Sequence, residues 1–136
     1  MFDVIEPNRP MVLKLLAAAK RNLADSQLVE LSEENRFDTA YKAVMQLAIL
    51  ALHANGYRTL TSKPGHHQIA IQTLPQTVGL KMDQVIVLDA LRKQRNLLDY
   101  SGDLVPESAV QECVASAKAL LIHIEAWLRA NRPELI

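Results

Sequence analysis

The sequence predicts an all-α fold: one antiparallel, up-and-down bundle of about five helices spanning residues 1–136 as a single domain. Three observations predict it. Apolar side chains recur at three- and four-residue spacing along most of the chain. No segment alternates with period two, so no strand is expected. The periodic stretches are joined by short connections, which make consecutive helices antiparallel neighbours.

The first helix is signalled by Asn8-Arg9-Pro10. Proline is tolerated in a first turn, where its missing N–H leaves nothing unpaired. Val12, Leu15, Leu16, Ala19 and Leu23 then follow at helical spacing, and the pattern fades near Asp25-Ser26. The second helix starts at Ser32, whose hydroxyl can cap free N–H groups, with Glu33 and Glu34 at the positive end of the helix dipole. Asn55-Gly56 stops it. Its stripe of Phe37, Ala40, Val44, Leu47, Ala48 and Ala51 is joined by Met45, Ile49, Leu50 and Leu52 on other faces. Such a helix is buried on several sides, as the centre of the bundle or against a second subunit.

A loop from Gly56 to Gly65 carries Arg58 and Lys63, and a short helix from about His66 is expected to end at Pro75. Asp83 is a suitable N-cap for a fourth helix running to about Tyr100, with Val85, Leu88, Leu91 and Leu98 inward and Ser101-Gly102-Asp103 ending it. The last helix opens at Pro106-Glu107 and ends at Asn131-Arg132-Pro133. Val110, Cys113, Val114, Ala117, Leu120, Leu121, Ile124, Trp127 and Leu128 keep its helical period throughout.

Composition narrows the function. The chain has 15 basic and 15 acidic residues, so no global charge argues for a nucleic acid or a membrane as partner. The apolar run from Ala43 to Ala54 is too short to span a bilayer, and the first residues lack the basic and apolar regions of a signal peptide. A cytoplasmic protein is expected, without a cofactor. The lone Cys113 falls in a helical apolar stripe and reads as a buried hydrophobe.

Charge is nevertheless unevenly placed. Between Thr39 and Met82 there is no acidic residue, and the window extended to Leu97 holds seven basic residues against two acidic ones, a local charge of +5. An anion-attracting face would result if the fourth helix packs near the Arg58–His67 loop. The densest polar cluster is Arg92-Lys93-Gln94-Arg95-Asn96-Leu97-Leu98-Asp99-Tyr100. On a helix Arg95 and Asp99 stand four apart, as an ion pair would, while Arg92, Asn96 and Tyr100 share another stripe. A guanidinium, an amide and a phenol on one stripe suit phosphate and hydroxyl recognition, or the clamping of a neighbouring helix. The pair His66-His67 stands at a helix start. Neighbours on a helix do not share a face and no second Cys/His cluster accompanies them, which disfavours a metal and leaves a proton carrier as the functional alternative. Phosphate-cradling glycine loops, nucleophile elbows and dinucleotide fingerprints are absent from the sequence.

The succession of an alanine-rich buried helix, Leu52-His53-Ala54-Asn55-Gly56-Tyr57-Arg58, Gly65-His66-His67, Arg92-Lys93-Gln94-Arg95-Asn96 and Tyr100-Ser101-Gly102 resembles the HEPN superfamily, most of all its small stand-alone bacterial members. The resemblance covers nearly the whole chain. It implies a helical bundle that dimerises and a metal-independent ribonuclease, often a toxin paired with an antitoxin such as a small nucleotidyltransferase. The family site has an arginine, usually followed by a polar residue, and a histidine four to six residues after the arginine. Arg95 and Asn96 match its first half. In the register of the histidine stands Tyr100, and no histidine lies between Asn96 and His123. The expected catalytic set is therefore Arg95, Asn96, Tyr100 and His67, with Arg92, Arg58, His66 and Lys63 binding substrate and RNA as the partner. The alternative expectation is a non-catalytic dimeric helical module that binds a protein or a nucleotide.

Overall fold

Capping chemistry sets the first two helices. In the computed structural model, which describes residues 2–60 and 64–136, the Asn8 side chain accepts the Met11 N–H at 2.8 Å and opens α1 (Arg9–Asp25). The Ser32 hydroxyl accepts the Asn35 N–H at 3.1 Å and opens α2 (Glu33–Ala54), with Glu33 and Glu34 in its first turn. Helix α2 is the centre of the molecule. Phe37, Tyr41, Val44, Met45, Leu47, Leu50 and Leu52 are all buried and spread over most of the helix circumference, leaving Lys42 and Ile49 exposed. One flank packs on α1 and another on the long helix α6 (Glu107–Asn131). Helices α3 (His66–Gln72), α4 (Leu74–Val78) and α5 (Met82–Ser101) close the remaining sides. The core is continuous from Val12 through Leu47, Leu50 and Ile71 to Leu120, Ile124 and Leu128.

The all-helical class stands, and the described residues contain six α-helices with one minimal sheet. That sheet is an antiparallel ribbon of β1 (Phe2–Val4) and β2 (Tyr57–Thr59), with Asp3 opposite Arg58. Three residues per strand are too few to display a period-two pattern, which is why the sequence showed no sign of it. Its entry requires Gly56, whose φ is +88° and whose carbonyl accepts the Ile5 N–H at 2.9 Å. A Cβ there would lie 3.3 Å from the Ile5 carbonyl oxygen in a backbone conformation that only glycine adopts without strain.

Two boundaries differ from expectation. Pro75 does not simply end a helix. It stands in the first turn of α4, where its missing N–H leaves no bond unmade, and Thr73 joins α3 to α4. Asp83 is not the N-cap of α5. Lys81 occupies that position in extended conformation, and Asp83 lies in the first turn, accepting the Gln84 N–H at 2.9 Å.

Long-range side chains fasten the helix ends. The Asn8 N–H donates to His53 Nε2 at 3.2 Å, and Arg132 Nη1 donates to the Ala54 carbonyl at 2.6 Å. His123 Nε2 donates to the Val78 carbonyl at 2.6 Å, holding the end of α4 against α6. Among the described residues no helix is long and apolar enough to cross a membrane.

Candidate functional site

Three helices meet at Tyr41. It interrupts the apolar wall of α2 with a phenol, and its ring is buried. From α5, the Arg95 guanidinium stacks on that ring with its carbon 5.1 Å from the centroid. From the first turn of α3, His67 brings Nδ1 to 3.4 Å from the Tyr41 hydroxyl. His66 packs edge-on against His67 with ring centroids 4.5 Å apart. Residues far apart in sequence thus assemble a phenol, two imidazoles and a guanidinium.

Burial governs the ionisation of this group. It pushes the Tyr41 phenol up to about 12, although Arg95 and Arg92 pull the other way, so the hydroxyl stays protonated. Burial likewise holds the His67 imidazole below its ordinary 6.5, and His66, Arg95 and Arg92 add repulsion toward a second positive charge. His67 is therefore neutral at pH 7. Either partner can donate in the Tyr41 contact; in the tautomer whose Nδ1–H donates to the hydroxyl, His67 Nε2 carries a lone pair able to take a proton.

The arginines are not free cations. Arg92 Nε donates to Asp89 Oδ1 at 2.8 Å, with both side chains largely buried, and Lys93 approaches the other carboxylate oxygen at 3.5 Å. The Arg92 hydrogen bond holds the Asp89 carboxyl below its usual range. Arg95 lies 4.0 Å from both Asp38 and Asp99, the outer limit of ion pairing. Glu34 and Asp103 join these two around a small pocket beside Arg95. All four carboxylates come from outside the acid-free stretch, so folding returns negative charge to the basic segment.

The expected residues separate into groups. Arg95, His67, His66 and Arg92 converge. Asn96 is exposed on α5, and Tyr100 is 93% exposed, so neither lines the Arg95–Tyr41 cluster. The expected stripe of Arg92, Asn96 and Tyr100 is split because Arg92 turns inward to Asp89. Arg58 stands on β2 and pairs with Asp3 at 2.9 Å. Lys63 lies outside the described residues. Tyr41 is the member that sequence reasoning missed. Its signal was a single phenol in an otherwise aliphatic run, and only the fold reveals that it meets Arg95.

Comparison with protein-family models, with curated proteins and with solved structures finds no match for this chain.

Proposed function

We propose that this chain is an RNA-binding, HEPN-like protein that cleaves RNA without a metal, acting as a homodimer in a toxin–antitoxin or defence system. One observation carries the reading: a neutral histidine, His67, stands beside Arg95 through the shared Tyr41. The sequence lacks a histidine in the register of Tyr100, and His67 supplies a proton acceptor from another helix. In this mechanism His67 Nε2 takes the proton of a ribose 2′-hydroxyl. The 2′-oxygen attacks phosphorus, the bond to the 5′-oxygen breaks, and His66 in its protonated form gives a proton to that leaving oxygen, so that His67 ends the step protonated and His66 neutral. Arg95 stabilises the charge that accumulates on the phosphorane oxygens. Tyr41 orients the imidazole and is a positioning residue.

The dimer rests on α5. Ile86, Leu97 and Tyr100 are 63%, 71% and 93% exposed. With Ala90 and Lys93 they recur at alternating four- and three-residue steps, which line one side of a helix. A seam of exposed apolar side chains, interrupted by one charge at Lys93, suits an interaction surface. Paired antiparallel with itself, it sets small Ala90 opposite large Tyr100. Sedimentation over a concentration series should show a dimer that Leu97→Glu reduces to a monomer, and a wild-type monomer at every concentration excludes this interface.

The test of the activity is cleavage of a mixed-sequence RNA in the presence of a chelator by wild type, Arg95→Ala and His67→Ala, with melting temperatures measured alongside. Cutting by wild type that falls at least about 100-fold in both variants supports the reading. Absence of cutting by wild-type protein at high concentration overturns it. A second reading, a non-catalytic helical module that docks a protein partner, draws on the carboxylates around Arg95. It predicts that Arg95→Ala lowers the melting temperature and that RNA affinity is negligible even at low salt.

A further inference from the structure

A second cavity lies away from the Arg95 cluster, between the β1–β2 ribbon, α1 and α2. It encloses about 460 Å³ and is open on one side. Its walls are apolar: Met11 and Leu15 from α1, Ile49 and Leu52 from α2, and Tyr57 from β2. This volume falls in the range of small-molecule sites, about 300–1,000 Å³, which combine apolar walls with a few placed polar groups.

Two polar features complete it. The first is His53, which lines the cavity and is only 9% exposed. Its Nε2 accepts the Asn8 backbone N–H at 3.2 Å, so the proton of the neutral ring belongs on Nδ1. Nδ1 makes no hydrogen bond among the described residues, and none of their fully occluded side-chain polar atoms is left unpaired. His53 lines the cavity, so Nδ1–H is the donor it can offer to an occupant. The second feature is the Asp3–Arg58 pair at the rim. Arg58 uses one nitrogen on Asp3 at 2.9 Å and keeps further donors for another acceptor.

We propose that this cavity binds a small amphiphile with an apolar tail and a carboxylate head, of the class of medium-chain carboxylic acids. The tail lies against Leu15, Ile49 and Leu52. The carboxylate accepts from His53 Nδ1–H and from the Arg58 guanidinium, loosening Asp3 from its partner. Asp3 is then a competitor for Arg58, and its negative charge weakens binding of the acid. Although the sequence reading counted Arg58 among RNA-binding residues, the site uses none of the residues of the proposed cleavage, His66, His67, Arg95 and Tyr41, and stands or falls independently of it.

Titration with decanoate, followed by calorimetry and by the methyl resonances of Leu15, Ile49 and Leu52, tests the proposal. Decanol serves as the probe with the same tail and no charge. Saturable one-to-one binding of decanoate is expected, with decanol weaker. Arg58→Gln should weaken decanoate about tenfold and leave decanol unchanged, while Asp3→Asn should tighten decanoate. Ile49→Trp, which fills the cavity from a partly exposed position, should abolish both. If that variant melts abnormally, Met11→Trp takes its place. The proposal is overturned if decanoate shows no saturable binding, if decanol binds as tightly, or if the filled variants bind as well as wild type.

Discussion

At the scale of single residues, the histidines determine how the molecule responds to acid. Burial holds both His53 and His67 below their ordinary 6.5 in the folded chain. The unfolded chain therefore binds protons first as pH falls, and stability is lost from about pH 6.5 downward and regained above it. Urea midpoints should be flat between pH 7 and 8 and decline from pH 6.5 to 5, with a smaller decline in His67→Gln. A rise in stability on acidification would contradict this assignment. Cys113 shows burial acting on a thiol. It is fully buried, burial pushes it up to about 12, and its sulfur faces the Phe37 carbonyl at 3.9 Å. A thiol reagent should leave the native protein unmodified and label one site after denaturation. The inward position of Cys113 was legible from its helical stripe, Arg92 and Arg95 were legible as a polar cluster on one helix, and His66-His67 as a pair at another helix start. Their grouping with Tyr41 was not. A side chain's partners across 26 or 54 positions depend on packing that local periodicity does not encode.

At the scale of elements, the helices were legible where capping chemistry is local. Asn8 and Ser32 cap as their side chains dictate, because donor and acceptor lie three residues apart. The Asn55-Gly56 stop of α2 was legible as well; what escaped sequence reading are the bonds that fasten helix ends from a distance. The last turn of α2 depends on Arg132, 78 residues away, which satisfies the Ala54 carbonyl. Arg132→Ala should cost about 1–3 kcal/mol in chemical denaturation, since it leaves a terminal helix carbonyl without its charged donor. Lys at the same position restores the charge without the planar fork and should recover only part of the loss. The ribbon belongs to the same class, because pairing Asp3 with Arg58 becomes visible only when α1 and α2 have folded back on one another.

At the scale of the whole molecule, the core is organised around one helix rather than between two layers. Leu47 touches no solvent, and it stands on a helix that α1, α3, α4, α5 and α6 all contact. Leu47→Ala should therefore lower stability by about 2–5 kcal/mol, checked by urea denaturation, because the surrounding helices cannot all collapse into the space at once. The same arrangement explains why charge counted along the chain misleads. The acid-free run from Thr39 to Met82 begins just after Glu34 and Asp38 in the first turns of α2, and these two meet Asp99 and Asp103, at and just beyond the end of α5, around Arg95. Linear charge and surface charge diverge where packing brings the ends of two helices together.

The joint at the end of α2 has a mechanical meaning. His53 receives the Asn8 amide and Ala54 receives the Arg132 guanidinium, so segments from opposite parts of the chain are tied to adjacent residues of one turn. Tension applied between residues 8 and 132 is shared between those two bonds and the direct seam of α1 with α6, where Lys20 pairs with Glu125 at 3.0 Å. The turn acts as a rivet that ties both chain segments to α2.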